Sequence, residues 1–311
     1  MAILQNRVIK TCLCCAALVA ALSAPPTNRT APAEAREARI VVDFLYSEAR
    51  EFSEGLAAVK SNDMWGYIDH RGKVVIPFEY SVPEVGYFSG GFAFTGSSFI
   101  DREGTIAFDG KSFESARSFS EGLAAVQFDG LWGYIDSTGK YALPPAWEAA
   151  GDFSGGMAPV KKEGLWGYID VRGRMLISPR FLRAEAYSGE TAAVDYEGKV
   201  GYIDRSGRFA VSPRYDEGGP FHNGRAAVRG PSPQGDWGYL DALGQETISR
   251  RFNAAGTFSD GLAPVATDAR WGYIDVNGKI ILDAIYDGAR PFSEGLAAVE
   301  RENKWGYIRV R

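Results

Sequence analysis

Apolar positions fall in runs of four or five residues rather than at helical spacing. Gly55-Leu56-Ala57-Ala58-Val59, Trp65-Gly66-Tyr67-Ile68 and Lys73-Val74-Val75-Ile76 are representative. Runs of this length, rich in aromatic and β-branched residues and bounded by turn residues, predict strands. Asp-x-x-Gly stands between the second run and the third, at Asp69/Gly72, Asp101/Gly104, Asp136/Gly139, Asp170/Gly173, Asp204/Gly207, Asp241/Gly244 and Asp275/Gly278. An Asp side chain there can accept hydrogen bonds from backbone amides ahead of it, and Gly at the fourth position takes the left-handed conformation that closes the hairpin. The first and second runs are joined by Asp129-Gly130, Glu163-Gly164 and similar pairs. Each unit is therefore expected to be a three-stranded antiparallel meander. Prolines (Pro77, Pro144, Pro145, Pro179, Pro213) follow the third run, where a strand is expected to end.

The pattern repeats. The Trp slot falls at Trp65, Ser97, Trp132, Trp166, Val200, Trp237, Trp271 and Trp305, eight copies of a unit of about 34 residues. One aromatic series runs Tyr46, Tyr80, Phe113, Trp147, Phe181, Tyr215, Phe252 and Tyr286. A second runs Phe52, Phe88, Phe119, Phe153, Tyr187, Phe221, Phe258 and Phe292. Rings at fixed positions suit a packed core, each burying on the order of 150–250 Å². The narrow Gly/Ala/Val run is the one expected nearest a common axis. The second unit is shortened, and the fifth has an altered Tyr187-Ser-Gly-Glu segment, so their register is the hardest to place.

The repeat begins with a third run, Arg39-Ile-Val-Val42, and finishes with a first and a second run, Gly295 to Val299 and Trp305 to Ile308. In a ring these parts complete one another and remove two exposed strand edges, whereas an open β-solenoid leaves both bare. The fold expected is all-β, with eight three-stranded units in a propeller-like closed ring. The open solenoid is the alternative.

Phe-Ser-Glu-Gly-Leu-Ala-Ala-Val (52–59 and 292–299), Trp-Gly-Tyr-Ile-Asp and Gly-Lys-x-x-Ile-x-Pro resemble the bacterial WG-repeat family over about residues 39–308. The resemblance implies a β-repeat array that serves as a binding or scaffolding module, and it brings no catalytic motif with it.

The N-terminal segment changes the picture of location. Arg7 and Lys10 precede an apolar run from Thr11 to Ser23 that is too short to span a bilayer comfortably, as in a secretory signal. The division expected is a signal at 1–23, with cleavage between 23 and 35, a linker at 24–38 and the repeat domain at 39–311. All three cysteines (Cys12, Cys14, Cys15) lie in the signal, so the mature protein is expected to be secreted or periplasmic and free of thiols. Removal of residues 1–35 takes away three basic residues and one acidic residue, moving the formal net charge from −5 to −7. That balance argues against a nucleic-acid partner. No membrane span is expected after signal removal.

Catalytic chemistry has little to stand on. Only His70 and His222 are present, and the acids recur in repeated slots such as Glu54, Glu121 and Glu294, which favours turn and cap roles. No phosphate-cradling loop or metal-ligand spacing occurs, and no cofactor or metal is expected. A non-enzymatic extracytoplasmic binding or scaffold module is the leading reading. A polysaccharide-active enzyme and a purely structural envelope component are the alternatives. The residues expected to be structural are Trp65, Trp132, Trp166, Trp237, Trp271 and Trp305, with the turn pairs Asp69/Gly72, Asp136/Gly139 and Asp170/Gly173. The residues expected to bind are Arg180, Arg214 and Arg251, which hold one slot in three consecutive units, joined by Arg250. They would form a basic patch for an anionic envelope polymer or an acidic protein partner, through paired guanidinium hydrogen bonds.

Overall fold

A computed structural model describes residues 37–108, 112–230 and 236–310. The expected signal and the linker as far as residue 36 lie outside the described residues, as does the Pro-Ser-Pro-Gln-Gly insertion at 231–235. Among the described residues every element is a strand. They make seven four-stranded antiparallel sheets and one two-stranded sheet, the blades of a β-propeller in which the second repeat is reduced.

The fourth unit shows how a regular blade is built. Its strands are Ala149–Ala150, Met157–Lys162, Leu165–Asp170 and Met175–Phe181, paired in that order. The three strands expected from sequence are thus joined by a fourth of two residues, on the inner side of the Gly/Ala/Val strand. A two-residue strand is too short to carry an alternating pattern, so nothing in the sequence marks it. The hairpin between the Gly/Ala/Val strand and the Trp-Gly-Tyr-Ile strand turns on Glu163 and Gly164, both at positive φ (53° and 79°), the turn type whose twist matches the flanking strands. At the next hairpin the Gly173 amide donates to the Asp170 carbonyl (2.9 Å), while Asp170 Oδ1 accepts from the Arg172 and Arg174 amides (2.9 Å each).

The other two turn pairs expected to be structural close in the same way. The Gly72 amide donates to the Asp69 carbonyl (2.9 Å) and the Gly139 amide to the Asp136 carbonyl (2.8 Å), with both glycines at positive φ (80° and 74°). Gly139 meets a second structural demand besides its turn. Gly139 is buried against the second unit, where a Cβ would lie 2.8 Å from the Phe108 ring, so the neighbouring unit also demands glycine there. A repeated turn motif shows the demand of its own hairpin and hides this second one.

The Trp-Gly pair has a steric reason. Trp166 lies opposite Phe181 and Tyr168 opposite Ile177, so the outer strand carries two extra residues between the two pairs and bulges. The bulge brings the Ile177 carbonyl to 2.4 Å from where a Cβ on Gly167 would sit, and Gly66, Gly133, Gly201, Gly238, Gly272 and Gly306 meet the same obstacle at 2.6–2.8 Å or closer. Only glycine fits there. The prolines occupy this bulge inside the outer strand (Pro144 and Pro145 in Tyr141–Trp147, Pro179 in Met175–Phe181) rather than following it, because bulged positions need not donate to the ladder.

Neighbouring blades share their cores. Ala125, Tyr134, Leu143 and Trp147 of the third unit pack with Ala150, Phe153, Ala158, Val160 and Ile169 of the fourth. Similar clusters follow one another among the described residues, and one joins Val42, Tyr46, Leu296, Ala298 and Tyr307 of the last blade to Ala49, Phe52, Ala57, Val59 and Ile68 of the first. The ring is therefore closed. Strand Ala38–Tyr46 pairs antiparallel with Lys304–Val310, Arg39 opposite Arg309 and Ile40 opposite Ile308, so both chain segments build one sheet. The fifth unit, despite Val200 in its Trp slot, keeps the regular register, with Val200 opposite Tyr215 and Tyr202 opposite Val211.

Candidate functional site

Two sets of side chains tie each blade to the next. The tyrosine of Trp-Gly-Tyr-Ile is fully buried and donates its hydroxyl to a carbonyl on the innermost segment of the following unit. The pairs are Tyr67 to Gly86, Tyr134 to Gly151, Tyr168 to Glu185, Tyr202 to Gly219, Tyr239 to Gly256, Tyr273 to Arg290 and, across the closure, Tyr307 to Arg50, all at 2.7–2.9 Å. Burial pushes the pKa of all seven hydroxyls upward. The second set lies at the Ser-Glu-Gly turns. Ser53, Ser89, Ser120, Ser188 and Ser293 donate to the carbonyls of Phe88, Phe119, Phe153, Phe221 and Phe52. Glu54 accepts from Gly90 and Gly91, Glu121 from Gly155 and Gly156, and Glu294 from Gly55. The recurrent glutamates are thus caps on the next unit's turn.

This geometry turns the innermost segments of successive units toward a common axis. A cavity of about 620 Å³ is lined there by Tyr87 of the second unit, Arg117 of the third, Asp152 of the fourth, Arg183 and Glu185 of the fifth and His222 of the sixth. Arg117 grips Asp152 with two parallel bonds, Nε to Oδ1 at 2.6 Å and Nη2 to Oδ2 at 2.9 Å. Those bonds hold the Arg117 pKa above its ordinary value. Burial, with the Asp152 charge beside it, raises the Tyr87 hydroxyl, and burial lowers the His222 imidazole even though the residue lies at an open rim. Arg183 donates to Glu185 through Nε (2.9 Å) and Nη2 (2.5 Å). The cavity offers donors, acceptors and an aromatic ring, on segments fixed by the tyrosine hydroxyls in the second, fourth, fifth and sixth units. Sequence reasoning missed it because its residues vary from unit to unit; the signal available was the departure of Glu51, Tyr87, Ser118 and Asp152 from one another in a single repeated slot.

The arginines read from sequence lie elsewhere. Arg180, Arg214 and Arg251 each stack on the adjacent ring (Phe181, Tyr215, Phe252; 4.9–5.1 Å) and donate Nη2 to the Gly207, Gly244 and Gly278 carbonyls of the next unit's turn. Arg250 pairs with Glu246 (3.3 Å). Of the six tryptophans in the Trp-Gly slot, Trp65 is fully buried and the other five are half-buried. His70 stacks on Phe52 and meets Glu294 at 2.7 Å, so it joins the first unit to the last. Among the described residues no group of three His, Cys, Asp or Glu is placed to hold a metal ion, and no helix is long and apolar enough to cross a membrane.

The model of the "WG containing repeat" matches the chain eight times, at residues 36–65, 65–95, 98–132, 132–166, 166–199, 201–229, 237–269 and 271–305. The chain belongs to the WG-containing repeat family. No curated protein matches this WG-repeat chain. Among solved structures it is similar to a eukaryotic initiation factor (TM-score 0.57, 13% identity, covering 82% of this chain and 81% of that one). It is also similar to the Neurospora crassa Pan2 WD40 domain (0.45, 12%, 89% and 96%) and to PorZ, a bacterial surface component of the type-IX secretion system of Porphyromonas gingivalis (0.45, 10%, 88% and 39%). At these identities the first likeness shows the fold alone, and the other two lie below the similarity that supports any argument.

Proposed function

We propose that the WG-repeat ring is a non-catalytic binding and scaffold module, working outside the cytoplasm, whose axial cavity takes a polar ligand or a segment of a partner. The observation that carries this reading is the convergence of Tyr87, Arg117, Asp152, Arg183, Glu185 and His222 from five successive units on one cavity of about 620 Å³. A cavity of a few hundred Å³ with convergent polar groups on a rigid frame is the ordinary form of a binding site. Its carboxylates favour binding over glycoside hydrolysis, since both Asp152 oxygens are engaged by Arg117 and Glu185 is engaged by Arg183. The extracytoplasmic location rests on the charged and apolar opening of the sequence.

The test is recovery of partners from an envelope extract by the mature protein and by a Tyr87→Ala, Asp152→Ala variant of equal thermal stability. Partners held by the wild type and lost by the variant are expected. Release of sugars from cell-wall glycans by the wild type, abolished in Asp152→Asn, would contradict the reading in favour of an enzyme. A second reading, with an anionic envelope polymer or acidic protein on Arg180, Arg214, Arg250 and Arg251, draws on the guanidinium N–H groups left over from the turn carbonyls. Its test is the Arg180→Ser, Arg214→Ser, Arg251→Ser variant, which should recover fewer partners at low salt and show no further loss at high salt.

A further inference from the structure

The sheet that closes the ring breaks a charge rule kept by the others. In seven units the residue after Trp-Gly-Tyr-Ile (Leu in the sixth, Phe-Ile in the second) is the turn aspartate, and in the eighth it is Arg309. The position facing that aspartate is basic in most units, and in the fourth the two form an ion pair, Arg174 with Asp170 at 2.6 Å. In the closing sheet the facing residue is Arg39, still basic, so two arginines lie directly opposite each other across an antiparallel pair. Like charges in that relation repel and weaken the pair. A third cation, Arg71, stands in the first unit's Asp-x-x-Gly turn, and that turn packs on the same strand, with Gly72 against Val42. Arg39, Arg71 and Arg309, with His70 and Val41, line one cavity of about 470 Å³ that contains no carboxylate. None of the three guanidinium groups has an ion-pair or hydrogen-bond partner among the described residues. Glu294, the acid that touches the lining residue His70, is already held by the His70 ring and the Gly55 amide.

We propose that this seam is a binding site for a tetrahedral oxyanion of the phosphate class, held by Arg39, Arg71 and Arg309. Three unpaired guanidinium groups around one concave space supply forked donors that match phosphoryl oxygens, and an anion there removes the repulsion built into the closing strand pair. Because Arg39 and Arg309 belong to the first and last strands, the bound anion ties the two chain segments together and strengthens the closure. This site is independent of the axial cavity, and either can fail without the other.

The experiment is thermal melting of the chain from residue 36 in inorganic phosphate against sodium chloride of equal ionic strength, for wild type, Arg309→Asp and Arg71→Ser. In the wild type the melting temperature rises with phosphate and saturates. Arg309→Asp restores the pairing of the other units, so it melts higher than wild type in chloride and loses the phosphate response. Arg71→Ser melts as wild type in chloride and binds phosphate at least tenfold more weakly. A wild type that gains no more from phosphate than from chloride would overturn the proposal, as would an Arg309→Asp variant with an undiminished response. A glycerol phosphate arm separates the sources: binding as tight as that of inorganic phosphate points to a phosphorylated polymer or headgroup, and exclusion of the ester points to the free ion. Either result supports the site.

Discussion

The fourth and second units occupy equivalent places in the ring and hold them by different means. The fourth has its full sheet, the bulged outer strand and a tyrosine hydroxyl that reaches the next blade. Among the described residues the second is reduced to Ala93–Phe94 paired with Phe99–Ile100, and Phe99 stands where the tyrosine should be, so no tyrosine hydroxyl crosses to the third unit. Its place is taken by rings: Phe92, Phe94, Phe99, Phe108, Phe113 and Phe119 pack together with centroids 5.1–6.3 Å apart. What the second unit retains is the Ser-turn ladder, Glu54 to Gly90 and Gly91 on one side and Ser89 to Phe119 on the other. The indispensable parts of a unit are therefore the inner segment and its turn, while the outer strand and hydroxyl can be replaced by apolar volume.

Alkali separates the two designs most sharply. For each clamp tyrosine the folded pKa lies above the unfolded value of about 10, so its contribution is whole below pH 10 and falls as pH rises toward the folded value. Each costs about 1.4 kcal/mol per pH unit, and seven together about 10 kcal/mol. Cooperative unfolding within about one unit above pH 10, with tyrosinate absorbance appearing as the circular dichroism is lost, is the expected outcome. Titration of these seven tyrosines near pH 10 in an intact fold would break the account.

Removal of residues 36–46 asks whether the closing blade can lose its outer strand as the second unit has. It should not, since buried Val42 and Tyr46 go with it, and a loss of several kcal/mol in a denaturant melt is expected. The same slot in the two designs gives a finer contrast. Phe99→Ala should cost about 3–5 kcal/mol, as for a fully packed ring. Tyr168→Phe should cost only about 1–2 kcal/mol, because it keeps the ring and leaves the Glu185 carbonyl without its donor. Equal losses would show that the hydroxyl and the ring are not alternatives.

The repeat, its hairpin turns and the complementary chain segments were legible in the sequence because each has a local cause: Asp and Gly at turn positions, rings at a constant step, an unmatched strand at each side. The two-residue inner strand was hidden by its brevity. The bulge was hidden because proline reads equally as a strand end. The contact of Gly139 with Phe108 was hidden because its turn already accounted for the glycine. The tyrosine's role was masked by its neighbour, since Trp166 draws attention while half-buried and Tyr168 makes the bond. The axial site could not be read at all from periodicity, which averages away the differences among Glu51, Tyr87 and Asp152.

Closure of the ring underlies the axial cavity, the seam site and the shared cores, and one covalent test addresses it. Arg39 and Arg309 are exposed and directly opposite across the closing strands, so Arg39→Cys with Arg309→Cys, in a chain from residue 36 that has no other cysteine, places two thiols within disulfide reach. The account predicts that mild oxidation consumes both thiols in the monomer and raises the melting temperature. Thiols that stay free in the folded, oxidised monomer would contradict it.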